Sequence, residues 1–132
     1  MTVFVDTFAL IAWLNPRDNC HSTMVAYLNG YAGQFLTTEW VLAELTDAFS
    51  QPAARSAVVA LIQTLRADSN FDIVGYDSEV YRAGFHLFAT RPDKAWSLTD
   101  CISFTVMSNR GLTDALTSDH HFEQTGFRAM FK

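Results

Sequence analysis

Hydrophobic positions along this chain switch repeatedly between two periods, the short continuous runs of buried strands and the three-and-four spacing of helices. Thr2-Val3-Phe4-Val5 is β-branched and aromatic and reads as a buried strand. Asp6-Thr7 can cap the next helix, Phe8 to Leu14, and Asn15-Pro16-Arg17-Asp18-Asn19 makes a turn. A helix from about His21 to Leu28 is closed by Asn29-Gly30. Gln34-Phe35-Leu36-Thr37 is a second strand. Thr38 then caps a helix over Glu39 to Phe49 whose buried stripe takes in Val41, Leu45, Ala48 and Phe49, with Glu44 at its border. Pro52 opens the next helix, Ala53 to Ala67, with Val58, Leu61, Ile62 and Leu65 at helical spacing. Asn70 to Val74 is a third strand, and Asp77-Ser78-Glu79 starts a helix through Val80, Tyr81, Phe85 and Phe88. A polar loop, Thr90 to Lys94, leads to Ser97, an N-cap with Asp100 in the capping-box position. The helix so begun carries Cys101, Ile102, Phe104, Val106 and Met107 and ends at Asn109-Arg110-Gly111. Ala115-Leu116-Thr117 is a fourth strand, His120 to Gln124 a short helix, and Phe127 to Met130 a last, edge-like strand.

Strands that alternate with helices predict an α/β fold with a mainly parallel sheet. A chain of 132 residues has the size of one domain, here 1–132. Hydrophobic residues make up 49% and charged ones 17%, enough for a large core and too apolar for disorder. No apolar run approaches the roughly 20 residues of a membrane helix, and no basic segment precedes the opening strand, so neither anchor nor secretory signal is expected. Cys20 and Cys101 are far apart, and Cys101 lies in an apolar helix; they read as reduced thiols in a cytoplasmic protein.

The net charge of −5 argues against a general nucleic-acid binder. It leaves room for an enzyme whose acids hold cations that then meet phosphate. The placement of four acids gives that possibility content. In open α/β sheets ligands bind beyond the carboxyl ends of strands. Asp6 and Asp119 each come directly after a strand, Asp100 stands in the first turn of a helix, and Glu44 lies one to two turns into another. Alone, Asp100 is an ordinary helix-start acid favoured by the dipole. Four carboxylates converging on one sheet edge would repel unless cations neutralised them. Oxygen-only ligands suit Mg²⁺ or Mn²⁺. Cys20-His21 and His120-His121 do not make a zinc set on their own. Such acid clusters are a common means of cleaving phosphodiesters.

Four stretches carry a resemblance: Val3-Phe4-Val5-Asp6-Thr7, Thr38 to Glu44, Ser97-Leu98-Thr99-Asp100-Cys101, and Ala115 to Asp119 with His121-Phe122. In content and order they resemble the PIN-domain proteins, more closely the VapC-type toxin ribonucleases. The resemblance implies a three-layer α/β/α sandwich and Mg²⁺- or Mn²⁺-dependent endonucleolytic cleavage of RNA. It also implies a small antitoxin as partner. Asp6, Glu44, Asp100 and Asp119 match the family's acids one by one, as catalytic and metal-binding residues. Thr7 stands ready to supply a hydroxyl near Asp6, and Thr117 and Ser118 to orient Asp119.

Other residues read more plainly. His120 and His121 invite a general acid/base role, weighed against a plainer one in which His120 is solvated and His121 packs or caps beside Phe122. Arg91 and Lys94 suit either phosphate contact or a solvated loop, and Arg82 a surface charge. Trp13, Trp40 and Trp96 are expected in the core or an interface rather than stacked on bases. The sparsely charged helix Ala53 to Ala67 would suit a homodimer contact if part of it were exposed. Two other functions fit the same pattern of elements: a Mg²⁺-dependent phosphotransfer or receiver domain, and a non-catalytic interaction module. Against the receiver, no Asp stands two residues after Asp6 and no Lys directly follows the fourth strand.

Overall fold

The computed structural model describes residues 1–131. The elements in chain order are β1 (Thr2–Val5), α1 (Thr7–Leu14), α2 (His21–Gly30), β2 (Gln34–Thr38), α3 (Glu39–Ala48), α4 (Pro52–Ala67), β3 (Phe71–Val74), α5 (Ser78–Thr90), α6 (Leu98–Asn109), β4 (Asp114–Leu116), α7 (His120–Gln124) and β5 (Arg128–Ala129). The five strands form one sheet in the order β3-β2-β1-β4-β5. Every pairing is parallel. Helical crossovers separate all the strands, which is what parallel pairing requires.

Register assigns the two faces. Val3 pairs with Phe35, and Phe35 with Phe71, so these side chains share a face. There Phe35 stacks on Phe71 at 4.9 Å and meets Tyr27 of α2 at 6.5 Å. The next residues, Phe4 and its neighbours, point to the other face. Phe4 lies 6.3 Å from Phe122 of α7, which Phe104 of α6 meets edge-on at 5.0 Å. Helices therefore cover both faces in a three-layer α/β/α sandwich. The sense of the connections agrees: right-handed crossovers leading from β1 outward to β3 put α1 to α4 on one face, and those leading back through β4 to β5 put α5 to α7 on the other. The chain reverses direction at β1 and β4, and this switch point opens a crevice at their carboxyl ends.

Local signals formed as the sequence implies. Thr38 accepts a hydrogen bond from Val41 N at 3.1 Å, and Ser97 and Asp100 close a full capping box. Trp96 is buried against Phe104, with its indole N–H donating to Gln124 at 2.8 Å. Trp40 meets Tyr76 edge-on, and Trp13 packs partly against the core. Both cysteines are free thiols. No helix among the described residues is long and apolar enough to cross a membrane.

One expectation about burial is corrected. Ala48 is exposed, because the stripe of α3 that faces the core runs through Val41, Leu42 and Leu45 and ends a turn earlier. The exposed apolar surface lies chiefly on α5, where Tyr81, Phe85 and Phe88 are each at least 42% exposed; α4 leaves only Val59 comparably open. Gly84, the one fully buried residue of α5, lets that helix lie close against α6. A Cβ there would fall 2.5 Å from Ile102 Cγ1 and 3.0 Å from its Cα. Gly84→Val is expected to cost about 2 to 3 kcal/mol by overpacking, read from the midpoint of urea unfolding.

Candidate functional site

The crevice at the switch point is an open cleft lined by Asp6, Thr7, Phe8, Glu44, Ser97, Asp100, Ser118, Asp119 and His121. All four acids singled out in the sequence thus face one space. Each arrives by a different local device. Asp6 is the first residue beyond β1, held by its own N–H, which donates to Leu116 O at 3.4 Å. Its backbone already turns into α1, its carbonyl accepting from Ala9 N at 3.1 Å. Its side chain does not cap that helix, contrary to the sequence expectation. Instead the carboxylate accepts from the buried Thr117 hydroxyl, at 3.0 Å from Oδ2. The cap is forgone because Thr117, across the switch point, pulls the carboxylate toward the cleft.

Thr117 has a second contact: its Oγ1 accepts from Asp119 N at 3.0 Å. One hydroxyl thereby ties the first acid to the backbone of the last. Asp119 caps α7, accepting from His121 N at 2.9 Å. Asp100 is oriented by Ser97, whose N–H donates to Oδ2 at 3.1 Å. Glu44, the most exposed of the four, accepts a hydrogen bond from the Thr7 hydroxyl. The hydroxyl expected beside Asp6 is therefore used by Glu44, and Asp6 takes Thr117 in its place.

The electrostatics reflect this crowding. Burial pushes the Asp6 carboxyl up from 3.8 to about 7, and the charges of Asp100 and Glu44 add to the rise; the Thr117 hydroxyl and the Thr7 backbone only partly oppose it. Asp100 is also raised, first by burial, with the Asp119 charge adding to it and the Ser97 hydrogen bonds opposing it. The neighbouring Cys101 thiol is pushed up to about 11 by burial and by Asp100, which makes it inert as a nucleophile at neutral pH. Such a site favours a cation that would take the place of protons on its carboxylates.

His121 is a cleft residue for which the sequence favoured packing or capping over chemistry. It does adjoin the cap of α7, but its ring turns into the cleft, with Nδ1 3.2 Å from Asp119 Oδ1 and 3.5 Å from Asp100 Oδ2. Nδ1 is buried and has no hydrogen bond. Its signals in the sequence were a titratable ring two residues after an acid at a helix start and its place beside Phe122 in the last matching stretch. Asp119, His120 and His121 offer ligand atoms that all lie within 4.8 Å of one another, a mixed set that zinc spacing alone would not suggest. His120 itself is 62% exposed, as expected of a solvated side chain. Arg91 and Lys94 stand at the margin, over the Trp96 ring at 5.2 and 5.9 Å, with Arg91 held by Asp93 at 3.0 Å.

Comparison with known proteins agrees with this architecture. The family model described as PIN domain matches residues 3–128. The fold is similar to that of VapC20 from Mycobacterium tuberculosis, a toxin described as cleaving the sarcin–ricin loop, with a TM-score of 0.86 and 22% identity over 96% of each chain. It is also similar to VapBC2 from Rickettsia felis, solved with a DNA fragment from its promoter, with a TM-score of 0.68 and 13% identity over 95% of this chain and 93% of that one. FitAcB from Neisseria gonorrhoeae matches with a TM-score of 0.66 and 19% identity over 98% of this chain and 95% of that one. No curated protein gives a significant sequence match.

Proposed function

The chain belongs to the PIN-domain family, and from that premise we propose that it is a Mg²⁺- or Mn²⁺-dependent endoribonuclease, with residues 1–132 acting as one domain. We further propose that it is the toxin of a toxin–antitoxin pair, working in the cytoplasm and restrained by a small antitoxin protein. The observation that carries the reading is the convergence of Asp6, Glu44, Asp100 and Asp119 on one cleft, with Asp6 reluctant to ionise without a cation. The toxin part rests on the relatives: VapC20 is described as an RNA-cleaving toxin, and VapBC2 was solved on promoter DNA.

The donor set fits such an ion: carboxylate oxygens predominate, as Mg²⁺ and Mn²⁺ prefer. When bound, the ion would polarise a phosphodiester oxygen and make water a competent nucleophile near neutral pH. The chain's part is to hold its carboxylates ready. Asp6, Asp100 and Glu44 would bind the ion, each kept in place by a hydroxyl or N–H from Thr117, Ser97 or Thr7. Asp119 would add to the same site or steady a second ion. The chain's net charge of −5 otherwise repels RNA, so cation binding must precede productive contact with phosphate.

Thr117→Val removes the shared hydroxyl at nearly constant volume. It is expected to weaken divalent-ion binding by roughly 10- to 100-fold, the usual effect of losing a group that orients a ligand, as read by calorimetric titration. The direct test of function is incubation of the purified chain with structured RNA. Endonucleolytic products that appear with Mg²⁺ or Mn²⁺ and vanish with chelator support the reading. RNA left intact under all ion conditions would overturn it.

A further inference from the structure

We propose that His121 is a ligand of the divalent ion in the acidic cleft, through Nδ1, and that this nitrogen biases the site toward Mn²⁺ over Mg²⁺. The inference rests on the metal-dependent reading above and adds to it a residue and an ion preference. Three observations carry it. First, Nδ1 of His121 is buried and makes no hydrogen bond, an arrangement that costs free energy unless a partner arrives. Second, the atoms around it are Asp119 Oδ1 at 3.2 Å and Asp100 Oδ2 at 3.5 Å. Neighbouring ligands of an octahedral ion held at about 2.1 Å stand roughly 3 Å apart, so Nδ1 is spaced from each of these two oxygens much as one ligand is from the next. Third, the Asp119 carboxylate is held beside the ring by the His121 backbone, whose N–H donates to Oδ1 at 2.9 Å.

The ion preference comes from ligand chemistry. Mg²⁺ strongly favours oxygen, whereas the transition ions toward which Mn²⁺ leans accept imidazole. A site of carboxylates alone would discriminate little between the two ions. One that includes His121 Nδ1 would gain on Mn²⁺ and lose on Mg²⁺. His120 does not share this role; its ring is 62% exposed and its Nδ1 lies 3.8 Å from Asp119.

The test is pulsed electron paramagnetic resonance on the Mn²⁺-loaded protein, which detects nitrogen bonded directly to Mn²⁺, together with calorimetric titration of Mn²⁺ and Mg²⁺. Wild type and His120→Ala are expected to show the nitrogen coupling, and His121→Ala to lack it. His121→Ala is expected to lose at least about tenfold in Mn²⁺ affinity while Mg²⁺ affinity changes by less than about threefold. Wild-type Mn²⁺ bound without nitrogen coupling would overturn the proposal while leaving the carboxylate site standing, and needs no variant to fold. Coupling that persists in His121→Ala and disappears in His120→Ala would overturn it too. Failure of wild type to bind either ion would sink the metal-dependent reading itself.

Discussion

Asp6→Asn is expected to make the metal-free protein more stable at pH 8 and to abolish its activity. The folded chain holds a proton on Asp6 up to about pH 7, whereas the unfolded chain releases it near 3.8. Between those values the folded state binds more protons, so the contribution of Asp6 to stability is full below about pH 4 and is lost as pH rises through 7. Three pH units at about 1.4 kcal/mol each set the upper bound, roughly 4 kcal/mol. An amide in place of the carboxylate avoids this penalty and keeps most of the shape. A gain of about 2 kcal/mol or more at pH 8 is expected, a rise in Tm on the order of 5 to 10 °C for a chain of this size. At pH 4 and below, where both states of the wild type are protonated, the gain should vanish. RNA cleavage should fall by on the order of 10³-fold, the scale seen when one preorganised charge-stabilising group is removed. Thermal melts across pH and a cleavage assay on the same preparation check both halves. A destabilised Asp6→Asn protein at pH 8, or one that cleaves at the wild-type rate, would contradict the placement of Asp6 as a strained metal ligand. The opposition of the two effects separates a functional acid from a structural one, because a structural carboxylate would lose stability on substitution.

Removing the divalent ion is expected to have the next largest effect. Chelator should abolish cleavage and lower the stability of the wild type. Conversely, an ion present at about a hundred times its dissociation constant should add about 2.7 kcal/mol. That stabilisation depends on pH in a direction the site dictates. Burial and neighbouring acids raise both Asp6 and Asp100, so protons compete with the ion through the neutral range. Ion-dependent stabilisation should therefore grow from pH 5 to pH 8, while the metal-free protein loses the Asp6 contribution over the same range. Asp6→Asn, lacking the principal competing proton and one ligand, should show a weaker and flatter response. Thermal shifts with and without Mn²⁺ at several pH values read this directly. Ion-dependent stabilisation that fell with pH would contradict it.

Much of the molecule was legible in the sequence because its signals are local. The Thr38 cap, the Ser97–Asp100 capping box and the apolar runs at β1 and β2 each depend on a few neighbouring residues, and each formed at the expected place. The convergence of the acids was legible for a different reason: a parallel sheet puts the carboxyl ends of its strands on one rim, so residues directly after β1 and β4 must meet there. What stayed hidden depends on contacts across the fold. Asp6 looked like a cap until Thr117 supplied a competing hydrogen bond from 111 residues away. His121 looked like a packing residue because nothing in its neighbourhood along the chain shows that Asp100 will lie beside it. How closely α5 rides on α6 depends on Gly84, whose missing side chain leaves room for Ile102. Sparse charge pointed to α4, which does expose Val59, and the aromatic row of α5 is a further exposed surface that charge counting does not find.

The most direct examination of the acidic cleft is a crystal structure grown or soaked with Mn²⁺, with anomalous data collected at the manganese edge. An anomalous peak among the carboxylates of Asp6, Glu44, Asp100 and Asp119 is the predicted result. Mn²⁺ present in the crystal but bound elsewhere, with this cleft holding only water, would contradict the account.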